Sequence, residues 1–401
     1  MLVVQKYGGT SVGNCERIQN VANRVARTKK GGHRVVVVVS AMSGETDKLL
    51  GYAKQFSELP NSRELDMILS SGERVTSALL AIALEEMGFK AISLSGRGAG
   101  MVTDDSHSSA RIEHIDPTHI NDLLDKDYII VVAGFQGVTK SGEVTTLGRG
   151  GSDLSAVALA GALKAEVCEI YTDVDGVYTT DPRIEPKAKK IEKISYDEML
   201  ELASMGAKVL QNRSVELAKK LTVNLVTRSS FNDNEGTLIT KEEEIMEQPI
   251  VSGIALDKNQ ARVSIVNVQD RPGIAADIFG ALANANVNVD MIVQTIGHDG
   301  MTDMDFTIPK TEMENTKRVL MKFEGSVEAI DYDAEIAKVS IVGVGMKSHS
   351  GVASKAFGAL ANDNINIMMI STSEIKISML INAKYAELAV RSLHDAYELD
   401  K

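Results

Sequence analysis

The chain is 401 residues long, 44% hydrophobic and 24% charged, a composition that excludes intrinsic disorder and collagen-like structure and a length that predicts two or three domains. Its 43 Lys and Arg stand against 55 Asp and Glu, a net charge of −12, which argues against a nucleic-acid partner while leaving room for a locally positive anion site. Cys15 and Cys168 are the only cysteines and neither lies in a CxxC, so a disulfide framework and a zinc finger are out and a reducing cytoplasm is expected. No apolar run approaches the ~18 residues that span a bilayer, and no signal-peptide pattern opens the chain, so no membrane contact is expected.

Short β-branched runs alternate with helical stretches from the N-terminus onward. Strands are predicted at Leu2–Val4, Arg34–Ser40, Ala91–Leu94, Tyr128–Ala133, Glu169–Thr172 and Val223–Val226. Helices are predicted at Ile18–Thr28, Ser62–Met87, Ser152–Lys164 and Tyr196–Leu221. Val35–Val39 is apolar on both faces, as a parallel strand covered by helices must be. The alternation predicts an α/β sandwich over residues 1–245, closed by the charged stretch Lys241–Pro249.

Beyond that boundary the chain repeats itself. Phe279–Ile292 returns 78 residues later as Phe357–Ile370, with ten of fourteen positions identical. Each copy opens with a strand, Val263–Val268 or Lys338–Val344, and continues in a helix with apolar residues at i, i+4 and i+8. An alternating strand, then a further strand and helix, make each unit an α+β βαββαβ fold, at 262–334 and 335–401. Two copies are too few for a solenoid.

No P-loop motif occurs, and Gly96–Gly100 lacks dinucleotide-binding spacing. Instead Lys6-Tyr-Gly-Gly-Thr-Ser-Val12 ends the first strand and opens a helix. Its glycines let backbone N–H groups approach an anion and Lys6 adds a mobile charge, unless this is an ordinary turn with a solvated lysine. Gly148-Arg-Gly-Gly-Ser-Asp153 offers the Arg149 fork for a carboxylate, with Ser152 and Asp153 at N-cap positions, or is simply a capped helix start. Tyr171–Arg183 is rich in turn formers yet keeps two tyrosines and an arginine, the make-up of a nucleotide-holding loop or of a plain one. Ser70-Ser-Gly-Glu-Arg74 interrupts a long helix, and Glu73 beside Arg74 has an exposed ion pair as its alternative reading. None of the seven histidines falls in these segments, and HExxH and nucleophile-elbow motifs are missing, which argues against a histidine-ligated metalloenzyme and a Ser/His hydrolase. A nucleophile already ionised at neutral pH, such as a carboxylate, needs no general base.

These four segments, with Gly206-Ala-Lys-Val-Leu210, resemble the motif set of aspartate kinases within the amino-acid kinase family, and the repeats resemble the paired ACT domains that regulate them. The resemblance spans essentially the whole chain. It implies a three-layer αβα amino-acid kinase sandwich with a mainly parallel sheet, followed by two ferredoxin-like ACT domains. It also implies that the strand-like segment 250–257 joins the second ACT domain, so that the first is inserted into it. The implied reaction is ATP + L-aspartate → ADP + 4-phospho-L-aspartate, with Mg²⁺, opening lysine, threonine and methionine synthesis. On the nucleotide side the resemblance places Lys6, Tyr7, Gly8, Gly9, Ser40, Thr172, Asp173, Tyr178, Arg183 and Lys208, with Lys6 and Lys208 catalytic. On the substrate side it places Thr46, Phe135, Gly150, Gly151 and Ser152, with Glu73 for the α-ammonium and Arg149 for the α-carboxylate. Metal ligands stay open. Tyr7 stands where phenylalanine is more usual, and Gln211 where many members have histidine. The rivals are a kinase for another carboxylate, such as glutamate, and a silent amino-acid sensor; retention of Lys6, Lys208, Glu73 and Arg149 argues against the sensor.

ACT domains of this family bind amino acids between the loop after the first strand and the edge of the second, usually across a subunit interface, which implies a homo-oligomer joined there. The first copy offers Asp270, Pro272, Gly273, Ile274 and Ala275 in that loop, and Asn288, Val289 and Asp290 on the strand. The second offers Val352, Asn364 and Asn366, with Met368 where Asp290 would stand. An ammonium held away from water needs carboxylate partners, and only the first copy has two. The first copy is therefore the expected effector site, with lysine, alone or with threonine, as effector; the alternative is that Asp270 and Asp290 are merely solvated.

Overall fold

Val35–Val39 are fully buried on both faces. Their strand, Arg34–Val39, lies between Leu2–Tyr7 and Ile129–Ala133 in an eight-stranded sheet. The computed structural model describes residues 1–204, 209–245, 249–296 and 300–401 and divides into two compact units. The first holds Met1–Val177, Lys190–Ala203 and, among the described residues, 209–245. Every pairing in its main sheet is parallel except that of Leu225–Ser229 with Thr237–Thr240. Tyr7, Val35, Val37 and Val39 pack on Val21 and Val25 of helix Cys15–Lys30 and on Leu80 and Leu84 of helix Ser71–Glu86. The opposite face carries helix Gly151–Ala162, buried over its first ten residues. The result is the expected three-layer kinase sandwich. Because neighbouring strands run parallel, their C-terminal ends deliver the turns after Tyr7, Val39 and Ala133 to one edge.

Three local expectations differ. The stretch Ser62–Met87 is two helices, Ser62–Leu69 and Ser71–Glu86, meeting at Ser70. It has the length and hydropathy of a membrane span, but Leu80, Ala81 and Leu84 cover the sheet. Tyr196–Leu221 is also two helices, Tyr196–Ser204 and Asn212–Leu221, the second preceded by Gln211 in extended backbone. A four-stranded sheet of Ile112–Ile115, Met101–Thr103, Gln136–Val138 and Val144–Thr146 has no counterpart among the expected elements; strands of three or four residues are too short to show an alternation.

The second unit holds Tyr178–Lys189 and, among the described residues, 249–401. Its two sheets follow one plan. Ile292–Ile296, Met301–Pro309, Gln260–Gln269 and Ala329–Asp333 lie side by side in the first; Ile367–Thr372, Lys376–Asn382, Ile336–Val342 and Gly253–Asp257 do so in the second. Gly253–Asp257 thus takes the edge place held by Ala329–Asp333, although it precedes the whole first repeat in the chain. Gly343 lets the incoming chain approach, since a Cβ there would lie 2.3 Å from Ile250 O. The repeats meet through Met291, Ile336, Met369 and Leu380. Segment 178–189 is held by Ile254 N–H donating to Thr179 O at 2.7 Å and by Thr179 Oγ1 at 3.0 Å from His394 Nε2.

A chain ending at Asp333 would strip Gly253–Asp257 of the strand it pairs with, exposing backbone donors and acceptors. It is expected to be poorly soluble, with freely exchanging amides at 253–257. A soluble monomer that protects those amides in hydrogen exchange would contradict this.

Candidate active site

The site is assembled around the backbone of Ala41, just beyond the valine strand. A Cβ on Gly9 would lie 3.0 Å from Ala41 O, and one on Gly72 only 2.8 Å from Ala41 Cβ. Both glycines therefore let their elements close on this turn, and the approach of helix Ser71–Glu86 brings Glu73 into it. Ala41 N–H donates to Glu73 Oε1 at 3.1 Å. Glu73 is 3% exposed, and among the described residues nothing partners its Oε2. Burial, which disfavours the charged form, pushes its pKa up to about 7.

Lys6, at the end of strand Leu2–Tyr7, is also buried and lies 2.5 Å from Asp153 Oδ1 as an ion pair. Arg149 sits between Gly148 and Gly150, both left-handed at φ +77° and +73°. A Cβ on Gly150 would collide with Gln211 Cγ at 2.0 Å, so glycine is required there twice over. Gly150 immediately precedes helix Gly151–Ala162. That corrects the expectation for Ser152 and Asp153: they lie in the first turn, not at the N-cap, which frees Asp153 to face Lys6. Phe135, itself left-handed at φ +67°, donates its N–H to Ser155 Oγ at 3.1 Å.

Ten expected residues line one cleft of about 340 Å³: Lys6, Gly9, Ser40, Thr46, Glu73, Phe135, Arg149, Gly150, Gly151 and Ser152. Gly8 adjoins it; a Cβ there would lie 3.4 Å from Lys6 Nζ. The Tyr7 side chain is instead in the core, stacked on Tyr171 with ring centroids 4.6 Å apart, so only its backbone is placed to meet a ligand. Thr172 ends strand Val167–Thr172 and Asp173 follows it; Thr172 Oγ1 donates to Asp173 Oδ1 at 3.0 Å, and both lie outside the cleft lining. Tyr178 and Arg183 belong to the second unit, where Arg183 grips Asp181 at 2.7 Å. Lys208 lies outside the described residues. Among residues the sequence did not single out for the site, Asp47 and Asp153 line the cleft. Asp153 was visible within its motif, but local pattern does not separate a helix cap from a partner for a distant lysine.

In the second unit Asp270, Pro272 and Gly273 form an exposed turn leading into helix Ile274–Asn284, whose first turn holds Ile274 and Ala275. Asn288, Asn364 and Asn366 are exposed, Val289 is half-buried and Val352 is buried. Asp290 pairs with the buried ammonium of Lys338, from the first strand of the second repeat.

A buried carboxylate with one unpartnered oxygen and an arginine fork in one small cleft suit the two ends of an α-amino acid. A lysine beside a glycine turn and a helix N-terminus suits a phosphoryl group. Residues 1–227 match the amino acid kinase family, and residues 262–325 and 339–397 each match an ACT domain. The chain is 70% identical to an aspartokinase of Helicobacter pylori over 100% of both proteins. It is 56% identical to the aspartokinase of Pseudomonas aeruginosa over 100% of this chain and 98% of that one. Among solved structures it is similar to E. coli aspartokinase III in complex with aspartate and ADP (R-state), at 26% identity and TM-score 0.81 over 99% of each chain. The same protein with lysine and aspartate (T-state) gives TM-score 0.80 at 26% identity, over 98% of this chain and 99% of that one. Motifs, cleft and kinships agree: the chain belongs to the amino acid kinase family, as an aspartate kinase with two C-terminal ACT domains.

Proposed function

We propose that the cleft phosphorylates the side-chain carboxylate of L-aspartate, with Glu73 holding the α-ammonium, Arg149 the α-carboxylate and Lys6 the transferring phosphoryl. The observation that carries this reading is Glu73, buried with Oε1 satisfied by Ala41 and Oε2 left for an N–H donor. The substrate's β-carboxylate is ionised at neutral pH and needs no base. It attacks the γ-phosphorus; a carboxyl O–P bond forms as the bond from Pγ to the ADP oxygen breaks. Two anions must meet, so Lys6, the glycine-turn N–H groups and the first turn at Gly151 supply the electrostatic stabilisation. Thr172, Asp173, Tyr178, Arg183 and Lys208 are assigned to the nucleotide. Mg²⁺ would enter on the phosphates and screen their charge; it needs only one or two carboxylates besides, and Asp47 and Asp153 line the cleft. The acyl phosphate would feed lysine, threonine and methionine synthesis. An ATP-consuming reaction and two free cysteines fit a reducing cytoplasm.

For regulation we infer lysine, alone or with threonine, at the first repeat. The solved E. coli relative binds aspartate with ADP in one state and with lysine in another, and Asp290 here already accepts an ammonium, that of Lys338. Strands Ile292–Ile296 and Ile367–Thr372 stand at sheet edges, with Ile292 and Ile370 exposed; such edges favour pairing between chains, in support of a homo-oligomer. Inhibition follows if lysine binds one arrangement better than another.

Incubated with ATP, Mg²⁺ and hydroxylamine, the enzyme is expected to yield hydroxamate from aspartate; product from glutamate alone would overturn the substrate assignment. Burial keeps Glu73 protonated below about pH 7, so the free enzyme gains its carboxylate as pH rises through that value. The kcat/KM for aspartate should rise roughly tenfold per pH unit below it and level off above, and Glu73→Gln should erase the step. A wild-type profile already flat there would remove Glu73 from ammonium binding. Asp290→Ala should raise the lysine concentration for half-inhibition roughly tenfold or more; unchanged inhibition, or none in the wild type, would refute the effector assignment.

A further inference from the structure

Asp66, in helix Ser62–Leu69, is completely buried and is not part of the cleft lining. Its carboxylate gathers donors from two separate loops. Thr146 Oγ1 donates to Oδ1 at 2.6 Å, Ser108 N–H donates to both oxygens at 3.1 and 3.0 Å, and His107 Nδ1 lies 2.8 Å from Oδ2. Thr146 ends strand Val144–Thr146, two residues before Gly148. Ser108 O backs the Gly148 turn, 3.2 Å from where a Cβ on that glycine would lie. The two loops are tied again by Ala110 N–H donating to Thr146 O at 2.9 Å and by Arg213, which donates to Leu147 O at 2.8 Å and to Ala110 O at 3.3 Å. On its other side, the helix of Asp66 ends at Ser70, whose carbonyl accepts from Gln136 Nε2 at 2.8 Å, and helix Ser71–Glu86 then carries Glu73.

We propose that Asp66, acting through Thr146, is a positioning residue that fixes the Arg149 turn relative to Glu73. A single buried carboxylate thereby sets the distance between the two halves of the amino-acid clamp. The inference rests on the assignment of Arg149 to the aspartate α-carboxylate. A carboxylate removed from water holds its donors in narrow geometry, because releasing any of them leaves a buried charge short of a partner. Displacement of a positioning group by a fraction of an ångström weakens binding of the substrate it orients.

The test is a double-mutant cycle. Thr146→Val keeps shape and burial but removes the hydroxyl that reaches Asp66. It should raise KM for aspartate about tenfold while KM for ATP stays within about twofold, and Thr146→Ser should restore the wild-type value. In an Arg149→Lys background, Thr146→Val should add little, since both act on one contact. Full additivity, a parallel rise in KM for ATP, or no rise in KM for aspartate would overturn the proposal. If Arg149→Lys by itself leaves KM for aspartate unchanged, the clamp assignment falls and the proposal with it. Should Thr146→Val not fold, His107→Gln enters the same cycle with the same expected direction and lack of additivity, and additivity there would overturn the proposal too.

Discussion

A run of five valines buried on both sides permits one arrangement: a central strand with apolar cover above and below. Helices Cys15–Lys30 and Ser71–Glu86 meet one face and Gly151–Ala162 the other. The strand's parallel neighbours then end where it ends. The cleft is a consequence of that burial: the glycine turn, the Ala41 turn and the Phe135 turn reach the same edge because their strands share a direction.

The site and the elements behind it place charge where burial opposes it, and each group is handled differently. Lys6 and Asp153 neutralise one another. Asp66 is surrounded by donors. Glu73 has a single backbone donor and is left with its pKa near 7. A carboxyl whose folded pKa is raised favours the fold at low pH, and that contribution is lost as pH rises through about 7, so ionising Glu73 in the empty cleft works against stability. A bound ammonium reverses the balance by supplying the missing partner. A buried cleft group with an unpartnered oxygen is thus the one assigned to ligand recognition.

The kinase sandwich and the duplicated α+β units were legible because their signals are long: five valines, helical periodicity, and a fourteen-residue repeat. The convergence of Lys6, Glu73 and Arg149 was legible only as three motifs whose resemblance tied them together; none of the three contains information about the others' distance. The small sheet that carries Thr146 was not legible, since its strands are three or four residues long. Asp66 was invisible for a related reason. Its partners are distant in sequence, and an aspartate within a helix reads as solvated until tertiary contact buries it. The cap position of Ser152 differs from the sequence expectation because Gly150 takes a left-handed backbone under the Gln211 side chain, and neither feature shows in local pattern.

The duplicated units show where a repeated motif departs from its own symmetry. Met291 and Met369 occupy equivalent positions and meet in the cluster between the repeats, as a pseudo-symmetric pair should. One residue earlier the symmetry fails: Asp290 pairs with Lys338, while the equivalent positions are Met368 and Arg262, and Arg262 pairs with Asp305 instead. Met368 packs against the apolar cluster instead. Each of the two equivalent cations keeps an anionic partner, drawn from a different segment in each case, because a buried lysine or half-buried arginine without one would be a poorly compensated charge. Asp290 therefore has a partner to lose, whereas Met368 offers an incoming ammonium nothing. Under the effector assignment proposed above, an amino acid at the first repeat would exchange its ammonium for that of Lys338 on Asp290.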